Sequence, residues 1–131
     1  MKKVLTLILF LLSFSSLFAL SDKEEIENML TVYQNALNEK DVETIKSIVS
    51  NPEKTEKLFE VIANGPQYIY HYEITVLEVS IEGNAATVDT NTKYTTDFSN
   101  IESLKDMKPI TMDLPHTFTF VKRKDKWLLV F

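Results

Sequence analysis

Across Gly65-Pro66 the spacing of apolar residues changes from near four to two, and that switch limits what the chain can become. Before it, Ile26, Met29, Leu30, Tyr33 and Leu37 recur at the spacing of one helix face. After it, side chains alternate as they do on half-buried strands. Helices first and antiparallel strands afterwards is the α+β order, and 131 residues leave room for one such domain. The expected architecture places the N-terminal helices in the concave face of a strongly curved antiparallel sheet. One face of each strand is then covered and the other stays wet.

Lys2 and Lys3 precede an uncharged stretch of 17 residues, Val4–Leu20, with Ala19 just ahead of the polar start of the first helix. These are the parts of a secretory signal peptide. Residues 1–19 are expected to be removed, leaving residues 20–131 as a single exported domain, periplasmic or extracellular. An uncleaved anchor is the competing expectation, from a stretch at the short limit for crossing hydrocarbon. Cleavage takes away two lysines, so the mature chain has net charge −7 and no stable membrane span. That charge argues against a nucleic-acid partner. Without cysteine there is no disulfide scaffold, thiolate site or cysteine nucleophile. With two histidines, no metal-ligand spacing and no phosphate-cradling glycine loop, neither a metal nor a cofactor is expected.

Local signals place the elements. Ser21-Asp22-Lys23-Glu24 reads as a capping box for the first helix, and Asp41 as the cap of a second one carrying Val42, Ile45, Ile48 and Val49. Asn51 and Pro52 open a third, with Leu58, Phe59 and Ile62 as its apolar residues. The first strand, ending at Ile81, changes register near Val76-Leu77, which predicts a bulge there before Leu77, Val79 and Ile81 take over the apolar face. Ala86, Val88, Thr90, Thr92 and Tyr94 share a face of the second strand. A short helical insertion follows Ser99, with Leu104 and Met107 at helical spacing. Then Ile110, Met112, Leu114, His116, Phe118 and Phe120 alternate on one face, expected to be buried. Lys122 to Lys126 makes a charged hairpin tip, and Trp127 to Phe131 the last strand.

The stretch from Tyr33-Gln34-Asn35-Ala36-Leu37-Asn38 to Ile45 resembles the opening helices of the nuclear transport factor 2-like superfamily, and Phe118-Thr119-Phe120 through Trp127 resembles its last hairpin. The resemblance implies a cone, a bent sheet closing over the long first helix with a pocket at the open end. Members include ketosteroid isomerase, scytalone dehydratase, polyketide-cyclase-like proteins and many non-catalytic binding or dimerising domains, so fold does not fix function. A cystatin-like arrangement is the runner-up, with three helices ahead of the first strand counting against it.

Tyr33 is either a core tyrosine bonded to a backbone carbonyl or a phenol donating to a ligand carbonyl or developing oxyanion. By resemblance it stands where ketosteroid isomerase has an oxyanion-hole tyrosine, and His116 where that enzyme has a second donor, an aspartic acid. An imidazole on that face would be desolvated and could act as acid, base or ligand donor, or sit satisfied at a rim. The general base of that enzyme has no counterpart here. Asp89 and Asp113 alternate outward, and His71 lies on the strand of uncertain register, where an exposed place suits it better. Two donors without a base point to binding rather than turnover. The expected site is a pocket with Tyr33 and His116 at its polar end and Met112, Leu114 and Phe118 along its wall. It would hold a small apolar molecule or a protein partner. Homodimerisation through the outer sheet face would show as exposed Tyr or Val rows there. The alternatives are a small isomerase, dehydratase or cyclase using His116, Tyr33 or His71, and a structural or inhibitory envelope protein.

Overall fold

The computed structural model of the protein describes residues 22–57, 60 and 69–131, with the side chains of Ile69 and Tyr70 left aside. The expected signal segment, Ser21 of the capping box and most of the third helix lie outside the described residues. Helix α1 spans residues 22–39 and α2 spans Val42–Ile48. Four strands follow: β1 Ile69–Glu82, β2 Ala85–Asp97, β3 Ile110–Arg123 and β4 Lys126–Val130. They pair antiparallel in sequence order, a meander of one curved open sheet against which both helices pack.

Each boundary has a local cause. Asp41 caps α2 as its position predicts, with Oδ1 accepting from the Thr44 backbone N–H at 3.2 Å. Asn51 makes no side-chain cap. Pro52–Thr55 winds as a tighter 3-10 turn instead, closed by the buried Thr55 hydroxyl donating to the Pro52 carbonyl at 2.6 Å. The bulge falls where the alternation broke: β1 slips against β2 between Val76 and Glu78. Leu77 is the extra residue and is turned out to solvent, so it does not join Val79 on the inner face. Gly83, with φ +57°, takes the first position of the two-residue β1–β2 loop, where a left-handed backbone is needed. Lys124 and Asp125 both accept positive φ in the β3–β4 turn.

The stripe of α1 lies in the concavity. Ile26, Met29, Leu30, Tyr33 and Ala36 pack with Ala86, Val88, Phe118, Phe120, Trp127 and Leu129, joined by Ile45 and Val49. Side chains of this size each stabilise by about 1.5–3 kcal/mol on full burial, and the set forms the core. Two polar fastenings fix how α1 crosses the sheet. At its start, Asp22 accepts from the Trp127 indole N–H (3.0 Å) and the Lys122 ammonium (3.1 Å), while Glu25 accepts from the Trp127 backbone N–H (3.3 Å). These bonds hold the Asp22 carboxyl below its ordinary range. At its far end, Asn38 accepts from the Tyr72 N–H (2.6 Å) and donates to the Tyr72 carbonyl (3.0 Å), and Gln34 accepts from the Ile74 N–H (2.7 Å). The two amides thus take the place of a neighbouring strand along the open edge of β1.

Glu73, Thr75, Thr87, Asp89, Lys93 and Thr117 occupy the outer face of the sheet, with no Tyr or Val row there among the described residues.

Candidate functional site

Strand register places the inner-face residues in rows. Tyr72, Tyr94 and Met112 lie side by side, then Ile74, Thr92 and Leu114, then Val76, Thr90 and His116, then Val79, Val88 and Phe118. The Tyr72 backbone bonds go out to Asn38, so Tyr72 and Tyr94 form a non-hydrogen-bonded pair, the kind whose side chains approach closest. Their rings meet edge to face at 4.9 Å.

Tyr33 reaches the site from α1. Its ring lies edge-on to Phe118 at 5.9 Å and tilted against Phe131 at 6.0 Å. The residue is only 9% exposed. Burial, followed by the phenols of Tyr72 and Tyr94, pushes its hydroxyl up to about 12, so it stays a proton donor throughout the neutral range. Yet its hydroxyl has no hydrogen-bond partner among the described residues, and no buried polar side-chain atom there is sealed without one. The ring is therefore enclosed while the hydroxyl is not sealed in.

His116 touches the other side of this arrangement, its ring edge-on to Phe118 at 4.4 Å. Phe118 is thus the shared neighbour of Tyr33 and His116. The expectation of a buried, desolvated imidazole fails, because His116 is exposed. Met112 and Leu114 differ from expectation in the same way, 53% and 46% exposed although they share the face of Phe118 and Phe120. The reason is coverage: the α1 stripe packs with Phe118 and Phe120, whereas the far end of α1 is fastened at Tyr72 and Ile74 on β1, two strands away from Met112 and Leu114. His71 pairs across from Thr95 on the opposite face from Tyr72 and is exposed, so it does not join Tyr33 and His116. Asp89 is likewise outside, accepting from the Thr117 hydroxyl at 2.8 Å, and Asp113 is exposed beside Lys93.

Two contributors were not singled out from the sequence as site residues. Tyr94 closes the alternation of β2 and could have been found by continuing it across to Met112. Phe131, placed only by the β3–β4 hairpin, has no local signal. Among the described residues no cluster of His, Asp and Glu could hold a metal ion. A separate shallow groove of about 420 Å³ between α1 and the bulge is lined by Lys23, Glu27, Leu77 and Glu78, away from Tyr33. No described helix is long and apolar enough to cross a membrane.

The sequence matches no family model and no curated protein. The structure is similar to a conserved protein from Planctomyces limnophilus (TM-score 0.70, 15% identity, covering 83% of this chain and 91% of that one). A candidate dehydratase of the nuclear transport factor 2-like family from Streptomyces avermitilis aligns at TM-score 0.69 and 15% identity over the same shares, 83% and 91%. A nuclear transport factor 2-like superfamily protein from Salmonella enterica serovar Typhimurium aligns at TM-score 0.65 and 11% identity, covering 85% of this chain and 87% of that one. At these identities the likeness concerns architecture. The helices in the hollow, the bent four-stranded meander and these neighbours together give the chain the nuclear transport factor 2-like fold.

Proposed function

We propose that the protein is an exported, non-catalytic binding domain that holds a small apolar molecule on its concave face. The observation that carries this reading is the uncovered apolar file of β3, Met112 and Leu114, on the face against which Tyr33 packs with a hydroxyl that has no hydrogen-bond partner among the described residues. Exposed hydrocarbon on a concave wall is costly in water unless something covers it. Export rests on Lys2, Lys3 and the apolar stretch that follows. Phe118 forms the floor, Tyr33 donates, and His116 stands at the rim.

The likeness to a candidate dehydratase favours proton transfer as a second reading. Against it, the candidates for a base, His71, Asp89 and Asp113, all face away from the concavity and do not join the two donors.

Native mass spectrometry of the purified protein tests the binding reading. The expected result is a retained small molecule, or binding of anilinonaphthalene sulfonate, lost in Leu114→Glu. Undiminished dye binding by Leu114→Glu, or neither adduct nor dye binding in the wild type, would remove it.

A further inference from the structure

Helix α1 crosses the sheet obliquely, because its two ends are fastened to different strands. Asp22 is held at Trp127 on β4, while Gln34 and Asn38 bond the edge of β1 at Ile74 and Tyr72. Toward its start the helix therefore draws away from β1, and the substitute bonding of that edge stops at Ile74. Where it stops, a groove of about 420 Å³ opens between Lys23, Glu27 and Thr31 on the helix and residues 76–79 of the strand.

Alternation identifies the backbone groups along this part of the edge. Tyr72 and Ile74 turn their N–H groups outward to α1, so the next position to do so is Val76. The bulge inserts one residue, after which the outward positions are Val79 and Ile81, paired on the inner side with Val88 and Ala86. No backbone group of another described element bonds the outward N–H and carbonyl groups of these three. A row of such groups is a template for one more strand.

The charge beside this row is negative. Lys23 and Glu27 lie 4.0 Å apart and offset each other, whereas Glu78 makes no ion pair among the described residues. Across the ladder from Glu78 stands a second carboxylate, Asp89, and Glu73 and Glu82 lie on the same strand. A second copy presenting this edge would set these carboxylates against their own kind, which is destabilising on a sheet. A strand carrying a cation is attracted instead. Leu77, 67% exposed at the bulge, offers hydrocarbon for the stem of a lysine or arginine side chain.

From this juxtaposition of a free edge, a groove and an unpaired carboxylate we infer that the protein takes an extended basic peptide as an added strand on β1. Val76, Val79 and Ile81 supply the backbone bonds, and side chains set the preference. A lysine or arginine of the peptide stands opposite Leu77 and Glu78 and pairs with the Glu78 carboxylate. The two bulge residues face that one cationic residue as they face the single Asp89 on the other side. This site lies away from the concave face and does not depend on a small molecule binding there.

Amide-resolved NMR of the full-length protein, titrated with the blocked pentapeptide acetyl-Val-Thr-Val-Lys-Val-amide, tests it. The expected result is slowed hydrogen exchange at Val76, Val79 and Ile81 in the presence of the peptide. Methylating the valine nitrogens, which face β1 in this register, should weaken binding by tenfold or more. Methylating the threonine and lysine nitrogens, which face away, should not. Glutamate in place of the peptide lysine should weaken binding about tenfold, the order expected for one charged hydrogen bond. Glu78→Lys, at an exposed position, should reverse that preference. Equal binding of the two methylated peptides would overturn strand addition, and a preference that Glu78→Lys leaves in place would overturn Glu78 as the cation's partner. Protection of the same amides by self-association without peptide would show a second copy to be the occupant. No protection with any of the peptides would remove the site altogether. Dye binding on the concave face, and its loss in Leu114→Glu, are independent of each of these outcomes.

Discussion

The two halves of β3 have the same alternation and opposite fates. Phe120 is 1% exposed beneath α1, whereas Met112, eight residues earlier on the same face, is 53% exposed. Alternation sets which way a side chain points, and only a neighbouring element decides whether it is covered. In the covered half, apolar residues hold the fold together. In the open half, similar residues contribute little to stability and are available to something else.

This contrast can be broken by experiment. Phe120→Ala should cost about 3–5 kcal/mol in urea unfolding, the usual price of emptying a large core site. Similar stability in that variant and wild type would mean α1 does not seal that half. Asn38→Leu should cost about 2 kcal/mol, since it leaves the Tyr72 N–H and carbonyl without partners, and should speed hydrogen exchange at Tyr72 and Ile74. Unchanged exchange there would show that the amide does not guard the β1 edge.

Asp22→Asn sharpens the account of how α1 is anchored, with an expected loss of about 1 kcal/mol at neutral pH. The Asp22 carboxyl titrates below its ordinary value of 3.8 in the folded protein. Its contribution is therefore complete above that value and disappears as pH falls through the lowered one. The difference between variant and wild type should close in acid, and a difference that persists at low pH would assign the effect to packing. Smallest of all, Leu114→Ala should change stability by less than about 0.5 kcal/mol. A loss comparable with that of Phe120→Ala would show the open half to be core after all.

Much of this arrangement was legible along the chain. The α1 stripe, the Asp41 cap and the bulge at Leu77 each follow from a few adjacent residues, because helix periodicity, capping and pleat alternation are local effects. Asn51 shows the limit of such reading: a cap residue in the right place did not cap with its side chain, since in the tight turn its backbone carbonyl accepts from the Lys54 N–H instead. At the site, Tyr33 and Phe118 were recognisable from their faces. The exposure of His116, Met112 and Leu114 was not, nor was the use of Gln34 and Asn38 as a substitute strand.

By itself the sequence determined the order of helices and strands and which side chains face inward on each, since these depend on periodicity and local bonding. Tertiary structure alone decided how far α1 reaches over the sheet. The polar contacts that fasten its ends, Asp22 to Trp127 and Asn38 to Tyr72, join residues 105 and 34 positions apart in the chain. No local pattern encodes where such distant partners meet, and where they meet determines which inward-facing residues become core and which remain exposed.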